Sequence, residues 1–97
     1  MKLFVYGCLR YPKIQKKLIN RVLEREPDVL IGYRKSKAKL LGEDEAVIIK
    51  SNRDSVKGFL ISVNPRELKK FDDYEEGYER KAVVLRSGKR AQVYIRK

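Results

Sequence analysis

The stretch Asn64-Pro65-Arg66-Glu67-Leu68-Lys69-Lys70-Phe71-Asp72-Asp73-Tyr74-Glu75-Glu76-Gly77 holds the clearest local signal in this 97-residue chain. A capping residue, a proline suited to a first helical turn and a glutamate three places after the cap start a helix at Asn64. Gly77 is a natural terminator. With Leu68 as zero, Phe71 falls at about 300° around the helix and Glu75 at about 340°. Asp73 lies at about 140°, toward water, while Asp72 and Glu76 fall at about 40° and 80°, near the edge of the apolar stripe. Period alone therefore selects Glu75 as the carboxylate aimed at the core. Burying such a group is costly unless it is paired, hydrogen-bonded or neutralised. A carboxyl in a pocket is also what a general base needs near neutral pH. Two plainer readings stand beside that one: the helix ends before residue 75, or Glu75 pairs with a lysine or arginine.

Working outward, residues 56 to 63 read as a strand before this helix, with Gly58 inside it marking a bulge or a close backbone approach. Ala46-Val47-Ile48-Ile49 is an earlier apolar strand, separated from it by a turn at Ser51-Asn52-Arg53-Asp54. Residues 29 to 41 form one or two strands of weak pattern, ended by Gly42 and the acidic turn Glu43-Asp44-Glu45. After the helix, strands over 79–86 and 90–96 are joined by Ser87-Gly88-Lys89 in a hairpin turn. The chain opens on Leu3-Phe4-Val5-Tyr6, a buried strand stopped by Gly7. Pro12 then suits a first helical turn, and Ile14, Leu18, Val22 and Leu23 recur at helical spacing. The expected helix covers about 12–25 and is closed by Pro27. The sum is an α+β fold with five to seven short strands and two helices, packed as a small mixed β-barrel or strongly curled sheet with flanking helices. With no repeat or linker in view, residues 1–97 are expected to form a single domain.

Composition narrows the chemistry. Hydrophobic residues are 42% of the chain, enough for one modest core, and charged residues are 38%, above the roughly 25% usual in soluble domains. Lys-rich and Glu-rich composition with little Cys or Met is the kind thermophile proteins show. Lys and Arg number 24 against 13 Asp and Glu, a net charge of +11. That balance raises nucleic-acid binding, but the cations are dispersed along the chain, which favours a solvated surface. The single cysteine, Cys8, rules out an internal disulfide and a Cys-based metal cluster. Histidine is absent, which removes the Ser-His-Asp triad, the Cys-His pair and the commonest zinc ligand together. Acid–base work falls to carboxylates, Lys, Tyr or Cys. The first apolar run is short for a signal peptide and no stretch reaches the ~20 apolar residues of a membrane span, so a cytoplasmic protein is expected.

The second feature is Tyr6-Gly7-Cys8-Leu9-Arg10, directly after the first strand. A strand running at once into Gly lets backbone N–H groups approach a ligand, and such donors suit a carboxylate or a developing oxyanion. A simple strand-end turn gives the same sequence. A lone cysteine beside a strand is commonly buried and inert.

Taken together, four motifs in order resemble the γ-glutamyl cyclotransferase-like family. They are Val5-Tyr6-Gly7-Cys8-Leu9-Arg10; Val56-Lys57-Gly58-Phe59-Leu60-Ile61-Ser62-Val63; Phe71-Asp72-Asp73-Tyr74-Glu75 followed by Tyr78-Glu79-Arg80 and Val83-Val84; and Ala91-Gln92-Val93-Tyr94-Ile95. The resemblance covers nearly the whole chain, and loosely over 28–50. It implies a compact β-barrel with flanking helices and an intramolecular aminolysis that releases 5-oxoproline from a γ-glutamyl amine or peptide. Glu75 falls on the family's catalytic glutamate. Tyr6, Gly7, Cys8, Leu9 and Arg10 fall on its substrate-binding motif, and Tyr78 would line the pocket. The partner implied is a small γ-glutamyl substrate, and the resemblance implies neither metal nor cofactor. Cys8 stands where Thr or Ser is usual, and Glu76 where Gly normally follows the catalytic residue. A non-catalytic ligand-binding member and, further off, a nucleic-acid-binding protein remain open as alternatives. A homodimer would suit a barrel with so limited a core.

Overall fold

The computed structural model describes residues 1–40 and 43–97, with the side chains of all these except 39, 40, 43 and 44. The turn expected at Gly42 lies outside the described residues, and of the acids beside it only Glu45 is described in full. The elements in order are β1 (Lys2–Val5), a 310 turn (Cys8–Arg10), α1 (Pro12–Ile19), β2 (Glu26–Leu40), β3 (Glu43–Ser62), α2 (Pro65–Tyr74), β4 (Tyr78–Val84) and β5 (Arg90–Arg96). They make one five-stranded mixed sheet in the order β2-β3-β1-β5-β4. β1 is its centre, antiparallel to β3 and parallel to β5.

The α+β class, five strands and two helices are as the sequence implies. Among the described residues, however, the sheet is open and no ladder closes the barrel: β2 and β4 are its edges. Side chains and one backbone contact draw the edges together instead. The Arg86 N–H, just past β4, donates to the Val29 carbonyl of β2 at 2.8 Å. The Ser87 hydroxyl donates to Asp28 at 2.6 Å, and Lys89 reaches Glu26 at 2.6 Å.

Strand alternation divides the core between the two faces of the curl. Phe4 and Tyr6 point into one cluster with Leu30, Tyr33, Ile48, Val56, Leu60 and Val93. Leu3 and Val5 point into the other, where Leu9, Leu23, Ile61, Leu68 and Phe71 bring the helices onto the sheet. Gly58 allows β3 to lie this close to β1. A Cβ there would stand 2.4 Å from the Val5 carbonyl oxygen and 2.7 Å from the Phe4 ring, so the expected close backbone approach is present.

Two expectations are corrected. The first helix stops at Ile19, six residues short of the expected end. Asn20 takes the left-handed conformation (φ 59°) and its N–H donates to the Lys16 carbonyl at 2.9 Å, which caps the helix before the period of Val22 and Leu23 is used. Val22 is exposed and Leu23 packs from a loop. Pro27 is not a helix stop but part of the edge strand β2, a position where a missing N–H is tolerated. Secondly, the strands expected on either side of Ser51-Asn52-Arg53-Asp54 are one strand, β3. Tyr33 pairs with Lys50 and Ile31 with Ser55. Residues 51–54 therefore oppose Gly32 alone, at φ +90°. The polar turn signal marks a bulge, closed by the Ser51 hydroxyl donating to Asp54 at 2.6 Å.

Candidate active site

α2 is fixed first at its N-terminus. The Glu67 N–H donates to the Asn64 side chain at 2.8 Å, and the Glu67 carboxylate accepts from the Asn64 N–H at 3.0 Å, a reciprocal capping box. Leu68 and Phe71 then seat the helix on the sheet. The helix ends at Tyr74, and Glu75 is its C-terminal cap. The Glu75 N–H still donates to the Phe71 carbonyl at 2.9 Å, so the side chain keeps the direction that the helical period assigns. Gly77, at φ +90°, then turns the chain into β4. Asp73 faces water beside Lys69. Asp72 accepts from the Tyr94 hydroxyl at 2.6 Å and pairs with Arg80 at 3.0 Å.

Glu75 lines a cavity of about 260 Å³ at the end of β1, together with Tyr6, Gly7, Cys8, Tyr78 and Glu45. The two segments singled out by sequence, 6–9 and 75–78, therefore meet in one place. Among the described residues no hydrogen bond or ion pair engages the Glu75 carboxylate. Burial, and secondarily the Glu45 carboxylate, raises its pKa from 4.5 to about 7. Its place at the negative end of the helix dipole acts in the same direction.

The other predicted residues divide. Gly7 and Cys8 form the cavity wall, and Leu9 touches it while packing into the helix-facing core. The Tyr6 ring lines the cavity, but its hydroxyl donates to the Tyr94 carbonyl at 2.6 Å. The Tyr78 hydroxyl donates to the Ala46 carbonyl at 2.8 Å, which ties β4 to β3 across the cavity. Burial followed by Glu75 pushes the Tyr78 pKa up to about 12, so this phenol stays a neutral donor at physiological pH. Cys8 is exposed, contrary to the buried cysteine expected. Partial desolvation against the cavity wall, then Glu45 and Glu75, raises the thiol's pKa and disfavours the thiolate. Arg10 stands outside the Glu75 cavity. Its Nε–H donates back to the Gly7 carbonyl at 3.0 Å, and the residue lines a neighbouring groove.

The sequence reading missed Glu45. No helical period marks it, and it sits in a run of three acids that reads as a solvated turn. Its parity along β3 with the buried Val47 was the one available sign. Among the described residues no group of three or more His, Cys, Asp or Glu is placed to hold a metal ion, and no helix is long and apolar enough to cross a membrane.

Residues 3–97 match the family model described as Gamma-glutamyl cyclotransferase, AIG2-like. The chain belongs to this family. AIG2-like protein C of Arabidopsis thaliana is 34% identical over 85 residues, which are 86% of this chain and 48% of that protein. The chain thus spans about half the length of this curated relative. A solution structure from Arabidopsis thaliana superposes with a TM-score of 0.82 at 29% identity, covering 98% of this chain and 61% of that one. A solved gamma-glutamyl cyclotransferase superposes with a TM-score of 0.77 at 17% identity, covering 99% and 66% of the two chains. That last likeness establishes the fold.

Proposed function

We propose that the protein is a γ-glutamyl cyclotransferase that converts a γ-glutamyl amine or peptide into 5-oxoproline and a free amine, with Glu75 as its general acid and base. The observation that carries this reading is a carboxyl set in a cavity with no ion-pair partner among the described residues, its pKa raised by burial to about 7. A carboxyl so placed exchanges protons at neutral pH with little penalty in either direction.

The Glu75 carboxylate takes a proton from the substrate's α-ammonium. The freed amine attacks the γ-carbonyl carbon of the same molecule, forming a C–N bond and a tetrahedral oxyanion. The C–N bond to the leaving amine then breaks as Glu75 returns the proton to the departing nitrogen, and the second proton of the ring nitrogen passes by way of Glu75 to the released amine, which departs as an ammonium. Protons and bonds balance, and Glu75 ends as it began. The N–H groups of the Gly7-Cys8-Leu9 turn hold the glutamyl group and face the developing oxyanion. Tyr78, fixed on the Ala46 carbonyl, shapes the wall opposite. Because nucleophile and electrophile share one molecule, much of the rate comes from holding it in a near-attack geometry.

The test is 5-oxoproline release from a panel of γ-glutamyl amino acids and amines by wild type and Glu75→Gln. Turnover by wild type alone supports the assignment. Turnover by both removes Glu75 from the chemistry. Turnover by neither, with both folded, leaves a ligand-binding member of the family.

A further inference from the structure

The wall formed by Gly7, Cys8, Glu45 and Ala46 has a second side. There it lines a groove of about 460 Å³ whose other residues include Arg10, Lys35 and Lys37. Lys35 and Lys37 are alternate residues of β2 and so share one face of that strand. Arg10 joins them from the 310 turn after β1.

The charges on the two sides are opposite. Among the described residues, the charged groups lining the Glu75 cavity are all carboxylates: Glu45, Glu75 and Glu76. Those of the groove are three cations and the shared Glu45. Among the described residues none of the three cations forms a salt bridge. Two of them interact: burial and then Arg10 lower the Lys35 pKa. Gathering like charges beside a cavity costs free energy that an arriving anion returns. Cys8 lies between the two fields, within electrostatic reach of Glu45 and Glu75 on one side and Arg10 on the other.

We infer that the Arg10–Lys35–Lys37 groove is the leaving-group subsite and selects γ-glutamyl substrates whose leaving group bears a carboxylate, an amino acid or short peptide, over those releasing a simple amine. This rests on the cyclotransferase reading above. The glutamyl α-carboxylate is no rival occupant. It shares a carbon with the α-ammonium, so it stays in the cavity where that ammonium meets Glu75, held by the N–H groups of the Gly7-Cys8-Leu9 turn against the cavity's carboxylates. A carboxylate on the far side of the scissile amide is the one that reaches across the Gly7–Cys8 wall. The acidic cavity repels it and the groove attracts it, so the same fields also set the direction in which substrate enters.

The experiment compares γ-glutamyl-alanine with γ-glutamyl-ethylamine, which differ by one carboxylate, on wild type and on the double variant Lys35→Met/Lys37→Met. Both lysines are exposed, so the variant is expected to fold. Wild type should prefer γ-glutamyl-alanine by about tenfold or more in kcat/KM, mostly through KM, and the ratio should fall toward one in the variant and at high salt. An equal rate on both substrates in wild type, or a preference that survives the double substitution, overturns the subsite. If neither compound is turned over, the cyclotransferase reading fails separately. Calorimetric affinities of the same two compounds for both proteins then decide the groove: a carboxylate preference lost in the variant upholds it, and equal affinities reject it.

Discussion

The two ends of α2 each hold a glutamate pointed inward, and the protein treats them oppositely. Glu67, at the N-terminal end, has a side chain 10% exposed and accepts two hydrogen bonds from Arg21, at 2.6 and 2.8 Å, and one from the Asn64 N–H. Those bonds hold its carboxyl below the usual range, Arg21 being the largest cause. Glu75, at the C-terminal end, has no such partner among the described residues and is pushed up to about 7, chiefly by burial. The helix dipole stabilises an anion at the first position and opposes one at the second. A paired carboxylate contributes to architecture. An unpaired one in a cavity is available for proton transfer.

The sharpest break in this comparison comes from removing one carboxyl at a time. Glu75→Gln should lower 5-oxoproline formation by about 10²-fold or more, while the unfolding midpoint in denaturant is held or raised. An acid whose folded pKa exceeds its unfolded one costs stability as pH rises from 4.5 to about 7. The variant should therefore gain up to about 3 kcal/mol over wild type at pH 8 and little at pH 4. Glu67→Ala should do the reverse, losing about 1–3 kcal/mol of stability with the capping box and the contacts to Arg21. Because the Glu67 pKa is lowered on folding, its contribution is present above the unfolded value of 4.5 and fades as pH falls through the folded value. Urea titrations at pH 7 and pH 3 check both signs.

Packing gives a further contrast, between the residue that brings β3 against β1 and those around the cavity. Gly58→Ala places a methyl group against the Val5 carbonyl and the Phe4 ring and should cost about 1–3 kcal/mol, read as a lower denaturation midpoint. Smaller still is Tyr78→Phe. It loses one hydrogen bond to Ala46, worth about 1 kcal/mol, and should reduce kcat/KM severalfold as the wall carrying Ala46 and Glu45 loosens.

The ends of α2 were legible because both signals are local. Asn64-Pro65-Arg66-Glu67 encodes a cap within four residues, and the helical period carries from Leu68 to Glu75 even though the helix itself stops at Tyr74. The strand core was legible from its apolar runs. What escaped depends on conformation or on distant partners. Asn20 ends α1 through a left-handed backbone that its sequence permits without demanding. Residues 51–54 carry every mark of a turn, yet the pairing of β2 on either side of Gly32 holds them within a strand. Glu45 joins the site only because β3 passes the end of β1. Arg10 is in the expected motif, but its bond back to Gly7 aims it away from Glu75.

The most direct test of the contrast along α2 is a titration of the glutamate side-chain carboxyls by carbon-detected nuclear magnetic resonance, with Glu75 and Glu67 assigned from their Gln variants. The account predicts that the Glu75 resonance titrates at about 7, while Glu67 titrates below the ordinary 4.5. A Glu75 carboxyl titrating with the exposed glutamates, between about 4 and 5, would contradict it and remove the physical basis for Glu75 as the proton carrier.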